Sequence, residues 1–266
     1  MITKQVAFII CFQNHICYRK MAYKSPLWMK HLYTHEKLFD NKGIRITNTN
    51  QNTAVIIEPR KTEMLQLVVK NVMYYLHKDW NLLIFCGTQN YDLVKTMCDT
   101  LGSVSIICMQ TDNLTIRDYN LMCTSENFYN MIPTENILIF QIDVLLRKKI
   151  PIKMLEYAYV GAPWNKSMLW AKHLGYIGNG GLSLRRKSFM IDACRIIQSN
   201  IVPRMNEDGM IAWCCKYANF PMPSFEEASS FSVETVLHND PIGMHKPHFT
   251  EEQMNDLFII NEKTLI

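Results

Sequence analysis

The chain has 266 residues, of which 48% are hydrophobic and 20% are charged. These proportions are ordinary for a globular protein and argue against a disordered chain, so we expect a sizeable core. The net charge is only +4 and the basic clusters at 147–149 and 185–187 are short, which argues against a nucleic-acid partner, because such proteins carry a broad basic face.

Nine cysteines occur, an odd number that includes no CxxC pair. This pattern predicts free thiols in a reducing compartment rather than a disulfide framework or a structural zinc site. The apolar run at 6–12 is shorter than the roughly 20 residues that cross a bilayer. We therefore expect a cytoplasmic protein without a membrane span.

Three parts of the chain differ in pattern. Residues 1–52 lack clear periodicity and end in a polar run, so we expect an N-terminal extension and linker there. Residues 53–250 are expected to form one domain, and residues 251–266 a C-terminal tail.

The predicted domain opens with strands that alternate with helices. The apolar run at 53–57 predicts a strand buried on both faces, and the runs at 81–86, 104–109 and 137–142 predict three further strands. Helical spacing of apolar residues follows the first strand, and a helix is predicted at 91–101. This alternation predicts an α/β fold with a mostly parallel central sheet. After Ala158 the runs become shorter and contain Pro and Gly, which predicts a half of the domain built around loops.

Polar side chains follow the first and fourth predicted strands. Glu58 and Arg60 come after the first, and Gln141 and Asp143 come at the end of the fourth. Ligands of open α/β sheets bind outside the carboxyl ends of the strands, so both pairs are expected at one ligand-binding edge. A helix cap or a surface position is the alternative for Asp143.

Glycines are concentrated in one segment. Four of the ten lie between Gly175 and Gly181, and Leu182-Ser183-Leu184-Arg185 follows them. A dinucleotide-binding GxGxxG would need glycine at Ser183, and no Gly-Lys-Ser/Thr of a P-loop follows. Because glycine lets a ligand approach the backbone closely, we expect a loop that faces a sugar ring. A simple glycine turn is the alternative.

Several segments together resemble a known family. They are 55–60, 160–164 (Val-Gly-Ala-Pro-Trp), 178–185, Glu207-Asp208, 226–229 and 243–247 (Gly-Met-His-Lys-Pro). Over roughly residues 53–250 the chain is similar to a poorly characterised family of GT-A-like glycosyltransferases, found in bacteria, algae and large DNA viruses. The resemblance implies a GT-A-like nucleotide-sugar-binding fold, a nucleotide-sugar donor and a glycan or protein hydroxyl acceptor. For a viral member it implies the host cytoplasm or the virion.

The resemblance also implies a metal site. Asp143 resembles the last carboxylate of the DxD metal motif, although Gln141 stands where the first Asp would be. His245 resembles the late histidine that completes the site, and Lys246 the lysine that meets the diphosphate. The implied cofactor is a divalent cation, Mn²⁺ or Mg²⁺, with manganese favoured by an imidazole ligand.

On the acceptor side, Glu207 and Asp208 resemble the acidic pair that supplies a catalytic base. Asp208 is expected to be the base, ionised at pH 7 if its pKa is the ordinary value of about 3.9, and Glu207 to orient the acceptor. Inverting transfer is favoured because a base is available. Trp164 is assigned to acceptor binding. The alternatives are favourable charges in a first helical turn for the acidic pair and core packing for Trp164.

The predicted donor-binding residues are Glu58, Arg60, Gln141, Asn179, Gly180, Gly181, Ser183 and Lys246. The function predicted from them is glycosyl transfer. Three other functions remain open: an inactive nucleotide-sugar-binding protein, which Gln141 would suit, a nucleotidyltransferase, and a scaffold without nucleotide affinity.

Overall fold

The computed structural model describes residues 26–262, with the side chains of residues 27–258. The apolar run at 6–12, Cys11 and Cys17 lie outside these residues. Within the described part, no helix has both the length and the apolar character needed to cross a membrane.

The described helices and strands alternate along most of the chain. The α-helices are α1 Pro26–Asn41, α2 Met64–Leu76, α3 Tyr91–Leu101, α4 Ile116–Cys123, α5 Glu126–Asn130, α6 Lys187–Gln198, α7 Glu207–Tyr217, α8 Phe225–Phe231 and α9 Glu251–Glu262. The strands are β1 Asn52–Glu58, β2 Trp80–Cys86, β3 Ser105–Cys108, β4 Asn136–Phe140, β5 Val144–Leu146, β6 Tyr159–Gly161, β7 Leu182–Arg186, β8 Ser232–Val233 and β9 Gly243–His245. Two 3₁₀ helices cover Ile152–Glu156 and Leu169–Leu174.

Six strands form the central sheet, in the order β3-β2-β1-β4-β7-β6. The first four are parallel, and β7 is antiparallel to both β4 and β6. The predicted α/β class with a mostly parallel sheet is therefore confirmed. A second, three-stranded sheet has the order β5-β9-β8.

Helices cover both faces of the central sheet. Successive side chains of β1 alternate between two cores: Ala54 and Ile56 pack with residues of α1, α2 and α3, and Val55 and Ile57 pack with residues of α5, α6 and α7. A strand buried on both faces has a continuous apolar sequence, which explains why these strands were predicted correctly.

The fourth strand is shorter than predicted. β4 ends at Phe140, and the backbone N–H of Val144 donates to the carbonyl of Gln141 at 3.2 Å, which closes a turn before β5. Asp143 therefore lies in this turn rather than on the strand. The side chain of Asn71 on α2 exchanges two hydrogen bonds with the backbone of Leu146, at 2.8 and 3.0 Å, and so fixes β5 beyond the turn.

The two chain ends also differ from expectation where they are described. Within residues 26–52, α1 buries Trp28, Leu32 and Phe39 in one of the two cores rather than forming a loose linker. In the expected C-terminal tail, α9 buries Leu257 and Phe258 in the same core. Trp28, Leu32 and Phe39 are spaced by four and seven residues, as on one face of a helix, and the sequence analysis missed this spacing.

The described cysteines are free thiols, and most are buried. Cys108 is exposed, because β3 is the edge strand of the sheet. Burial raises the pKa of the Cys86 thiol to about 11 and that of Cys98 to about 12, so these thiols are protonated at neutral pH.

Candidate functional site

The glycine segment lies at the carboxyl edge of the parallel strands. Leu182, the first residue of β7, pairs with Phe140, the last residue of β4, so the loop that precedes β7 extends beyond this edge. The carbonyl of Gly181 accepts a hydrogen bond from the backbone of Gln141 at 3.0 Å. Residues 178–181, the glycine loop, therefore lie where ligands of α/β sheets bind.

Two groups of side chains meet the glycine loop from different sides. A Cβ at Gly180 would collide with Oε1 of Glu207 and lie 3.2 Å from Cβ of Asp208. A Cβ at Gly181 would collide with the ring of His245. Glycine is thus required at both positions by close approach, and the loop brings together residues that are far apart in the sequence.

The first group, which we call the lysine cluster, consists of Gln141, Asp143, His245 and Lys246. The ammonium Nζ of Lys246 lies 2.9 Å from Oδ2 of Asp143 and 3.4 Å from Oε1 of Gln141. Nε2 of His245 lies 3.4 Å from Oδ1 of Asp143 and 3.2 Å from Oε1 of Gln141. The pairing of β5 with β9 holds the cluster together, because it places Val144 opposite His245.

Asp143 is ionised in spite of its burial. Burial opposes ionisation, but the hydrogen bond and charge of His245, followed by Lys246, outweigh it and hold the pKa of Asp143 below its usual range. Oδ1 of Asp143 is buried and, apart from Nε2 of His245 at 3.4 Å, has no hydrogen-bond partner among the described residues. This oxygen can accept a hydrogen bond from a bound ligand.

The lysine cluster does not fit a divalent cation. Within residues 26–262, no three His, Cys, Asp or Glu side chains are placed to hold a metal ion together. The cluster offers one carboxylate, one imidazole and the amide oxygen of Gln141, and the ammonium of Lys246 already binds the carboxylate. A metal bound to Asp143 would lie beside this fixed positive charge.

Glu234 is a buried carboxylate that the sequence analysis missed. Its Oε2 accepts a hydrogen bond from Nδ2 of Asn179 at 2.5 Å, and its Oε1 lies 3.6 Å from Nδ1 of His245. Glu234 therefore connects the glycine loop to the lysine cluster. Glu234 directly follows β8, just as Glu58 is the last residue of β1. It was missed because β8 has only two residues, too few to show a strand pattern in the sequence.

The second group is the acidic pair, Glu207 and Asp208, in the first turn of α7. Glu207 is buried and forms an ion pair with Arg185, whose NH2 lies 3.0 Å from Oε1 of Glu207. The side chain of Asn120 on α4 accepts from the backbone N–H of Glu207 at 3.1 Å and so caps α7. The first-turn position favours both carboxylates, as the alternative interpretation proposed.

Arg185 is the second residue that the sequence analysis left without a role. Leu182 and Leu184 face one core, so Ser183 and Arg185 point toward the other. The guanidinium of Arg185 is fully buried, where it also donates to the hydroxyl of Tyr129 at 3.0 Å. Because a buried charge needs a partner, the alternation along β7 could have predicted a carboxylate such as Glu207 beside it.

Asp208 has a different protonation from that expected. Burial, followed by the neighbouring charge of Glu207, raises the pKa of the Asp208 carboxyl well above its usual value. One carboxylate oxygen accepts from the backbone N–H of Gly209 at 2.7 Å. The expectation of an ordinary pKa near 3.9 was therefore wrong for this side chain.

Two predicted donor-binding side chains support the glycine loop from within. Ser183 is fully buried and donates to the carbonyl of Gly180 at 3.1 Å. Asn179 is buried, and its Oδ1 accepts from the backbone of Gly181 at 3.1 Å. Both side chains bond to the protein, so in this structure they shape the loop.

Glu58 and Arg60 lie at the carboxyl end of β1, at the expected edge. The guanidinium of Arg60 donates two hydrogen bonds to the Glu58 carboxylate, at 2.6 and 2.7 Å. The Glu58 side chain is buried, whereas that of Arg60 is 57% exposed. The loop after β2 is tied to them by Asn90, which donates to both of their carbonyls.

Trp164 packs beneath the glycine loop. Its ring is 5% exposed and would lie 2.9 Å from a Cβ at Gly178. It contacts the ring of Trp170, with centroids 5.0 Å apart, and Trp170 is 52% exposed. The structure thus places Trp164 in the core, as its alternative interpretation proposed, with the more accessible indole at Trp170.

Sequence comparison identifies a family that has no assigned function. No curated protein matches the chain. A family model described as a protein of unknown function, DUF5672, matches residues 103–245, a span that contains the glycine loop, the acidic pair, Asp143 and His245. Because this match covers more than half of the sequence, the chain belongs to the DUF5672 family.

Proposed function

We propose that the protein is a glycosyltransferase with a GT-A-like fold, which transfers a sugar from a nucleotide-sugar donor to a hydroxyl acceptor. One observation carries the proposal: the glycine loop has His245 against Gly181 and the acidic pair against Gly180, and Lys246 binds Asp143 beside His245. Displacement of a nucleoside diphosphate by a hydroxyl needs a cation for the leaving group and a base for the acceptor.

On the donor side, the bond between the anomeric carbon and the diphosphate oxygen breaks. Negative charge then grows on the phosphate oxygens, and a positioned ammonium such as that of Lys246 stabilises it. Oδ1 of Asp143, which lies 3.4 Å from Nε2 of His245, would accept a hydrogen bond from a hydroxyl of the donor. The backbone of Gly180 and Gly181 would face the sugar between the two groups.

On the acceptor side, Asp208 would take the proton of the attacking hydroxyl. A base is most effective when its pKa lies near the working pH, so the raised pKa of Asp208 suits this role. Glu207, fixed by Arg185, would orient the acceptor. A single base opposite the leaving group favours inversion at the anomeric carbon.

Release of nucleoside diphosphate from a panel of nucleotide sugars, with and without hydroxyl acceptors, tests this function. Asp208→Asn should lower turnover by at least about 10²-fold while the fold is kept. Asp192→Asn, a change on the exposed surface of α6, is the matched control. Wild-type turnover in folded Asp208→Asn would refute the role of Asp208 as base.

The pH dependence of turnover gives a second test. The raised pKa of Asp208 means that its ionised form is lost as the pH falls through a range above that of an ordinary Asp. Turnover should therefore rise with pH on a limb well above pH 4. A rate that is flat from about pH 5 upward would contradict this protonation state.

An inactive nucleotide-sugar-binding protein is the second candidate. The observation that favours it is the amide of Gln141, where the metal motif of the resembling family carries a carboxylate. A ligand at about 100 times its dissociation constant stabilises a protein by about 2.7 kcal/mol, which a thermal-shift screen detects. Stabilisation by a nucleotide sugar without turnover of any acceptor would favour this candidate.

A further inference from the structure

We propose that the ammonium of Lys246 is the resident cation of this site and takes the place of a divalent metal, so that the donor diphosphate binds without one. The identity of the ligand, a nucleoside diphosphate, depends on the proposed function. The position of the positive charge follows from the geometry of the lysine cluster alone.

In the lysine cluster one carboxylate faces one ammonium, and the adjoining Glu234 carboxylate is held by Asn179 and His245. A motif with two carboxylates needs two positive charges, which a divalent cation supplies. Here position 141 carries a neutral amide, so Asp143 contributes the one carboxylate of the turn and the single charge of Lys246, 2.9 Å away, neutralises it.

The ammonium also has a donor left for a ligand. It has three hydrogens, of which one points to Asp143 and one to Gln141. The side chain of Lys246 is 21% exposed, whereas that of Asp143 is 8% exposed. Its third donor therefore remains for an anion that approaches from the solvent side.

The backbone fixes this arrangement at a conformational cost. Lys246 has a φ of 41°, in the left-handed region that residues with a Cβ rarely adopt. Its N–H donates to the carbonyl of Asp143 at 3.2 Å, directly beyond the pairing of Val144 with His245. Strain of this kind persists where the surroundings determine it and is concentrated at functional sites.

Titration with Mn²⁺ alone tests where the cation is. By calorimetry, the wild-type protein should show no Mn²⁺ affinity tighter than about 1 mM. Lys246→Gly removes the ammonium and, because glycine adopts positive φ without strain, keeps the local fold. This variant should gain Mn²⁺ affinity, and Lys246→Arg should not. Tight, stoichiometric Mn²⁺ binding to the wild type that Asp143→Asn abolishes would overturn the proposal.

Titration with UDP, GDP, ADP and CDP in the presence of EDTA tests the ligand. At least one should bind equally well with EDTA and with Mn²⁺, and Lys246→Gly should weaken it at least about 10-fold, as expected for loss of a charged hydrogen bond. Lys148→Met, which removes another lysine that pairs with an aspartate, is the control and should bind normally.

The outcomes separate the two proposals. Diphosphate binding that requires Mn²⁺ would overturn the role of Lys246 and leave glycosyl transfer standing. Failure of every diphosphate to bind folded protein under both conditions would overturn the proposed function together with the ligand assigned to Lys246.

Discussion

The ion pair between Arg185 and Glu207 gives a sharp test of how the site is built. The Arg185 side chain is 0% exposed and that of Glu207 is 6% exposed, with 3.0 Å between NH2 and Oε1. Arg185→Met leaves the Glu207 carboxylate buried without its partner. Breaking a buried pair in this way costs about 3–5 kcal/mol, a large part of the 5–15 kcal/mol that stabilises a typical domain.

Urea unfolding of the two single variants and the double variant measures this energy. Arg185→Met and Glu207→Leu should each lower the free energy of unfolding by several kcal/mol. The double variant should lose less than the sum, with a coupling of about 1–3 kcal/mol, because it leaves no unpaired charge. If each single variant loses less than about 1 kcal/mol and the losses are additive, the ion pair between Arg185 and Glu207 does not hold the acidic pair in place.

Three further predictions concern pH, the glycine loop and the core. Burial lowers the pKa of His31 from 6.5 to about 3, so the unfolded chain binds more protons between these values. The free energy of unfolding should therefore fall as the pH drops below 6.5, by up to about 1.4 kcal/mol per pH unit for this group, and His31→Gln should reduce the slope in thermal-melt series. Gly181→Ala should drive a methyl group into the His245 ring and weaken nucleoside diphosphate binding by calorimetry, whereas unchanged affinity would contradict the close approach. Trp164→Ala should cost about 3–5 kcal/mol in chemical unfolding, against under about 1 kcal/mol for the half-exposed Trp170→Ala, and equal losses would contradict the burial difference.

The four parallel strands of the central sheet could be predicted from the sequence because they are mostly continuous apolar runs. The helix predicted at 91–101 was found with these bounds as α3. By contrast, α1 was missed, because its packing depends on α2 and α9, and nothing in its local sequence specifies these partners. The local sequence pattern predicts a strand or a helix well where burial alone determines which of its residues are apolar.

Part of the candidate site was expected from the family resemblance rather than from burial. Asp143, His245 and Lys246 were expected together, and the structure brings them into contact. Their contact depends on β5 and β9, strands of three residues each that show no pattern of their own. Glu234 was missed because its partners are brought to it by tertiary structure alone.

Under the proposed function, the pairing of charges around the glycine loop distinguishes Asp208 from the other two carboxyl groups. Glu207 is matched by Arg185, and Asp143 by Lys246, each with a nitrogen about one hydrogen-bond length from a carboxylate oxygen. His245 and Lys246 hold the pKa of Asp143 below its usual range, so this carboxyl resists a change of protonation. Asp208 instead lies beside another carboxylate and accepts from a backbone N–H, and its pKa is raised. A group that must gain and lose a proton in each turnover needs this balance, so the fixed charges around it support Asp208, rather than Glu207, as the base.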